Sequence, residues 1–133
     1  YTSGPSSIAQ KAAEAAYTGS QACVEEMRQA FQRRRDLVVD LASKIPGLKV
    51  NRPDGAFYLF PEVSAFIGKK DAEGNVIASS GDLALYLLRE AHVATVDGAA
   101  FSAPGYIRLS YATSDANITE ALSRMGAALA KLK

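Results

Sequence analysis

Pro104-Gly105-Tyr106-Ile107-Arg108-Leu109-Ser110-Tyr111-Ala112 reads as a short strand entered from a Pro-Gly turn. Strand side chains alternate, so Ile107, Leu109 and Tyr111 fall on one face and Tyr106, Arg108 and Ser110 on the other. A strand with one apolar face needs a layer to cover it. Arg108 carries the chemical interest, because a guanidinium is a planar fork that holds a carboxylate at two points. Taken alone, however, an arginine in a half-buried strand reads as a solvated or ion-paired surface residue.

Working outward, the opening Tyr1-Thr2-Ser3-Gly4-Pro5-Ser6-Ser7 is loop-like, and Ser7 with Gln10 has the form of a capping box before an alanine-rich helix that Gly19 should end. A long helix is predicted from Ser20 to Lys44, with Val24, Met27, Phe31, Val38, Leu41 and Ile45 at three- and four-residue steps and Pro46-Gly47 as its stop. At 1.5 Å per residue it would be about 36 Å long, the width of a small domain. The four arginines between Arg28 and Asp36 read as a solvated face with Glu25 and Glu26 as partners. Leu48 to Val50 and Ala56 to Phe60 suggest a hairpin about the turn Asn51-Arg52-Pro53-Asp54-Gly55.

Gly68 to Asn75 reads as an exposed polar loop without a ligand, followed by a helix capped by Ser80 or Asp82 and ending at His92. His92 is read as a cap or surface residue. Val93 to Val96 is predicted as a third strand, Asp97 to Gly105 as a small-residue loop, and Ser114 or Asp115 as the cap of a last helix. Ile118, Leu122, Met125, Leu129 and Leu132 form that helix's apolar stripe. The mixture of strands and helices with short connections places the chain in an α/β (α+β) class, a small sheet covered by helices.

The 133 residues suffice for about one domain that buries near two thirds of its unfolded surface. A net charge of +1 gives no general field for nucleic acid or an anionic membrane, and no run is long enough for a span. Cys23 is alone, so an internal disulfide and a cysteine-based zinc site are excluded, no metal is expected, and a reducing, cytoplasmic setting fits. The chain begins at Tyr1, which suggests a piece of a longer protein.

Three segments in register resemble the class I aminotransferases, the pyridoxal-phosphate enzymes that include aspartate aminotransferase. They are Thr2-Ser3-Gly4-Pro5-Ser6-Ser7-Ile8-Ala9-Gln10; Arg33-Arg34-Arg35-Asp36-Leu37 with Pro46-Gly47-Leu48 and Gly55-Ala56-Phe57-Tyr58; and Val96 to Ala112, with its arginine-leucine-serine-tyrosine-alanine. The resemblance implies a C-terminal piece. Residues 1-19 would end the large cofactor domain, 20-44 would be the connecting helix, and 45-133 the small domain.

It implies that Arg108 grips the substrate α-carboxylate, that Phe57 lines the substrate pocket, and that Ser3 and Gly4 reach toward the other subunit's site in a homodimer. Amino-acid and 2-oxo-acid substrates and pyridoxal 5'-phosphate follow for the full-length parent. Asp97 and Ser102 depart from the family's usual proline and glycine, which leaves the loop shape between them open. The Schiff-base lysine is absent: of seven lysines only Lys44 follows a serine, and Ile45-Pro46-Gly47 does not continue the motif.

No catalytic residue is therefore assigned, and the chain alone is expected to be inactive and, with its first helices uncovered, to self-associate. A stand-alone binding module derived from the family, and an aminotransferase of alanine or aromatic specificity, are the alternatives.

Overall fold

Ser6, one residue earlier than the capping-box pattern indicates, starts the first helix. Its Oγ accepts from Ala9 N at 3.2 Å, and Gln10 Nε2 donates to the Pro5 carbonyl at 2.9 Å instead of reaching back to a Ser7 cap. A computed structural model describes residues 3–133, which fall into two compact units divided between Ala30 and Phe31. Helix α1 (Ser7–Thr18) ends at Gly19 as expected, where an added Cβ would stand 2.8 Å from the Ala15 carbonyl oxygen. No α1 residue is buried, and Ile8 and Tyr17 are largely exposed. Helix α2 (Ala22–Ser43) begins in the first unit, where Arg28 clasps Glu25 through two 2.8 Å hydrogen bonds.

In the second unit α2 buries Val38 and Ala42. Its remaining arginines do not pair along the helix with Glu25 or Glu26. Arg33 and Arg34 meet Asp115 at 3.2 and 3.5 Å, and Arg35 meets Asp36, which also takes Arg52 at 2.8 Å. The arginine face is thus in part an anchoring face. Helix α3 (Ser80–Ala91) is capped by Ser79 and not by Ser80 or Asp82, because Ser79 Oγ accepts from Asp82 N at 3.1 Å. His92 closes it in the left-handed region, with φ 54°, and its N–H donates to the Leu87 carbonyl. Helix α4 (Asp115–Leu129) is capped by Ser114 and buries Ile118, Leu122, Met125, Ala128 and Leu129.

Strands β1 (Tyr58–Leu59), β2 (Val96–Asp97) and β3 (Ile107–Ser110) form an antiparallel sheet of order β1-β3-β2. Tyr58 faces Ser110, Leu59 faces Leu109, Val96 faces Arg108 and Asp97 faces Ile107. Two expectations need correction. The hairpin of Leu48–Val50 with Ala56–Phe60 does not form: Lys49 bridges Glu62, and the Ala56-Phe57 backbone serves Tyr111 instead. Ala56, at φ 60°, turns the chain where a strand residue was expected. The strand expected at Val93 to Val96 starts only at Val96, since Val93 N–H is spent on the Leu87 carbonyl at 3.2 Å.

The alternation across β3 is as read from the sequence, with Ile107, Leu109 and Tyr111 buried and Arg108 half-buried on the opposite face. Leu59, Ile107 and Leu109 share one core with Leu83 and Leu87 of α3 and with Leu122 and Met125 of α4. Each such side chain contributes about 1.5–3 kcal/mol by leaving water. One face of the sheet is thereby sealed, and the other is free to carry chemistry.

Candidate functional site

The open face of the sheet carries aromatic rings around Arg108. Tyr58 sits on β1 and Val96 opposite Arg108 on β2, while Phe60 and Tyr106 flank them and stack on each other, centroids 5.4 Å apart. Phe101 comes from a 3-10 turn, Gly98–Phe101, that folds back from the end of β2 and stands edge-on to Phe60. The Arg108 guanidinium lies between two rings, 4.3 Å from the centroid of Tyr58 and 4.3 Å from that of Phe101. Ring faces attract a cation by their quadrupole and, unlike a carboxylate, leave its N–H donors unspent.

Among the described residues no carboxylate pairs with Arg108. Six of the eight arginines of the chain do have such a partner. A half-buried guanidinium oriented by two rings and uncompensated by an internal acid has N–H donors available to an anion from outside.

Phe57 belongs to the rim of this cluster. Its ring meets Tyr58 at 4.4 Å and Phe31 at 5.8 Å, and it is 39% exposed. Its carbonyl accepts from Tyr111 N at 2.9 Å, so β3 fixes the backbone from which the ring projects. Tyr111 also donates its hydroxyl to the Ala56 carbonyl at 2.9 Å, and burial pushes that phenol up from its ordinary range. Ser3 and Gly4 are exposed in the first unit, and the cluster about Arg108 is drawn wholly from the second. The Thr2 that opens their motif lies outside the described residues.

The rings that grip Arg108 escape a reading of the sequence. Tyr58 is fifty positions away, and Phe101 lies in the Asp97–Gly105 loop. The one available signal was that Phe101 is the sole aromatic in that loop. Asp97 and Ser102 now have roles. Asp97 caps the 3-10 turn by accepting from Ala99 N at 3.1 Å, and Ser102 closes it at φ 57°, a conformation that explains why glycine is usual there.

No described group of three or more His, Cys, Asp or Glu side chains could hold a metal ion. Lys49, beside the Phe60–Tyr106 stack, is tied to Glu62 at 3.0 Å, and that contact holds the Glu62 carboxyl below its usual range. The cluster offers one guanidinium between two rings and lacks the lysine and phosphate ligands that pyridoxal phosphate needs. These residues do not by themselves fit that cofactor.

The family profile described as aminotransferase class I and II matches residues 1–125. Aspartate aminotransferase of Rhizobium meliloti strain 1021 is 47% identical over 131 residues, which is 98% of this chain and 32% of that protein. Aspartate/prephenate aminotransferase of Cereibacter sphaeroides is 46% identical over 98% of this chain and 33% of its own length. Among solved structures, the aspartate aminotransferase from Rhizobium meliloti superposes with TM-score 0.93 at 45% identity, covering 99% of this chain and 33% of that one. Alanine aminotransferase from Pyrococcus furiosus does so at 0.82 and 28% identity, covering 95% and 30%. The chain therefore spans about a third of the length of the relatives it matches. An arginine-bearing small sheet under two helices, with this breadth of likeness on either side of it, is explained by common descent: the chain belongs to the class I and II aminotransferases.

Proposed function

We propose that the chain is the C-terminal portion of a longer pyridoxal 5'-phosphate-dependent aminotransferase, in which Arg108 receives the α-carboxylate of the substrate. The observation that carries this reading is the Arg108 guanidinium itself, held between Tyr58 and Phe101 with no internal carboxylate. A fork fixed in this way sets both the position and the rotation of an amino acid, which proton removal at the neighbouring carbon requires. The whole protein would move an amino group from an amino acid to a 2-oxo acid, and the names of the relatives favour aspartate as the donor.

In this reading residues 1-19 end the cofactor domain, 20-44 connect it, and 45-133 form the small domain, with Phe57 on the substrate pocket. The cofactor's lysine and phosphate ligands are supplied by the rest of the protein. Ser3 and Gly4 approach the neighbouring subunit of a cytoplasmic homodimer, a role their exposure allows. Likeness to an alanine aminotransferase supports the rival specificity, at much lower identity than to the aspartate enzymes.

The test is Arg108→Leu in the full-length enzyme. Loss of a bidentate charged contact should lower kcat/KM for aspartate by about 30- to 1000-fold, or roughly 2–4 kcal/mol, without lowering the bound cofactor's absorbance. Unchanged catalytic efficiency would reject the assignment.

A further inference from the structure

We propose that Ser80 and Asp97 are positioning residues for substrate binding, acting together as a latch that holds Phe101 against Arg108; this deepens the carboxylate reading and rests on it. The loop from Asp97 to Gly105 leaves the sheet at β2 and returns at β3, and Phe101 sits near its middle. Ser80, in the first turn of α3 and only 4% exposed, touches both ends of that loop. Its hydroxyl donates to Asp97 Oδ1 at 2.7 Å and accepts from Gly105 N at 3.1 Å. The same Asp97 oxygen accepts from Ala99 N at 3.1 Å, which fixes the start of the turn carrying Phe101.

Ser80 thus has its donor and its acceptor spent on closing one loop. Asp97 packs closely on the first turn of α3, where a Cβ added at Gly81 would stand 3.1 Å from Asp97 Oδ2. The free end of the closed loop is Phe101, itself 45% exposed, and it supplies one of the two rings that sandwich the guanidinium. Besides Arg108, its ring meets Phe60 edge-on, with centroids 6.1 Å apart. Its place over Arg108 depends on how the loop is closed: beside the backbone bonds from Gly98 N to Tyr106 O and from Ala103 N to Gly98 O, the Asp97 carboxylate accepts from Ser80 and Ala99, and the Ser80 hydroxyl accepts from Gly105 N.

A loosened latch lets the ring leave, and Arg108 then samples rotamers that do not present the fork. The rotamer that does present the fork still orients the substrate for proton removal, so its smaller population lowers binding and leaves the bound substrate's reaction little changed.

The experiment uses the full-length enzyme, with aspartate turnover and inhibition by succinate, an unreactive dicarboxylate, as readouts. Ser80→Ala, Asp97→Ala and Phe101→Ala should each raise KM and the succinate inhibition constant about three- to tenfold with kcat changed less than twofold. Asp97→Asn keeps an oxygen acceptor for Ser80 and Ala99 and should recover most of the affinity. In a double-mutant cycle, Asp97→Ala should add less than twofold in the Phe101→Ala background, because both remove the same wall.

The proposal is overturned if Asp97→Ala and Ser80→Ala leave both constants unchanged while Arg108→Leu raises them steeply, or if the Asp97 and Phe101 effects multiply. If Arg108→Leu is itself without effect, the carboxylate reading is what has failed. If Asp97→Ala unfolds below the assay temperature, Ser80→Ala, Asp97→Asn and Phe101→Ala decide the matter by the same criteria.

Discussion

Replacing Gly98 by Ala should cost this fold about 3 kcal/mol, although the change adds one methyl group and the backbone there has no left-handed requirement. Gly98 is buried at the start of the turn that carries Phe101. A Cβ at this position would run into the Ala103 carbonyl oxygen, and it would stand 2.6 Å from the Tyr106 carbonyl oxygen and 2.9 Å from Tyr106 Cβ. Two of these obstacles are backbone and cannot rotate away. Moving them strains or breaks Gly98 N to Tyr106 O at 2.9 Å and Ala103 N to Gly98 O at 3.0 Å, each worth about 1 kcal/mol.

Overpacking adds about 1–3 kcal/mol, and the stiffer unfolded chain of the alanine variant returns about 0.4–1 kcal/mol. The net is a large share of the roughly 5–15 kcal/mol that holds a domain together. Thermal unfolding followed by far-ultraviolet circular dichroism should show a midpoint lower by roughly 10–15 °C. Gly55→Ala, with no atom within 4 Å of the added Cβ, is the control and should shift little. If both variants melt within a degree or two of the parent, the close packing of the Gly98 turn onto β3 is refuted.

Other outcomes follow from single contacts. Ser102→Gly should raise the melting temperature slightly, since Ser102 sits at φ 57° where glycine is unstrained. Met125→Ala, at a side chain with no exposure, should cost about 2–5 kcal/mol by chemical denaturation. The 133-residue chain expressed alone should self-associate, because α1 buries nothing, and a monomer at every concentration in size-exclusion chromatography would contradict this. The hydrogen bonds from Arg28, then from Gln29, draw the Glu25 carboxyl from 4.5 down to about 2. A depressed carboxyl favours the folded state above its unfolded pKa, and that support is lost as pH falls from about 4.5 through 2. In Arg28→Ala, the Glu25 side-chain carbon resonance should titrate closer to 4.5.

Periodicity carried the helices and the faces of β3, because a stripe at three- and four-residue steps or a strict alternation is a strong constraint on what can be buried. It misplaced the cap of α3 by one residue: Ser80 and Asp82 were the candidates, but Ser80 is taken by Asp97 and Gly105, and the neighbouring Ser79 caps the helix. The missed hairpin has a similar origin. Local turn chemistry favoured pairing Leu48–Val50 with Ala56–Phe60, but the long-range demand of Tyr111 for the Ala56 and Phe57 carbonyls prevailed.

Arg108 was visible as an anomaly, an arginine on an otherwise ordinary strand. The rings that hold it were not visible. The second ring comes from a loop whose course is set by Gly98, Asp97 and Ser80, and no short motif encodes a contact that three separate elements must assemble.

The central claim is that Arg108 binds the carboxylate on the reacting carbon and no other part of the substrate. The most direct measurement compares wild type and Arg108→Leu full-length enzyme on two donors: aspartate, and β-alanine, which lacks that carboxylate but keeps the amine and the distal acid. The account predicts that the substitution lowers kcat/KM for aspartate by about 100-fold and leaves the slow turnover of β-alanine unchanged within twofold. An equal loss on both donors, or none on aspartate, would contradict it.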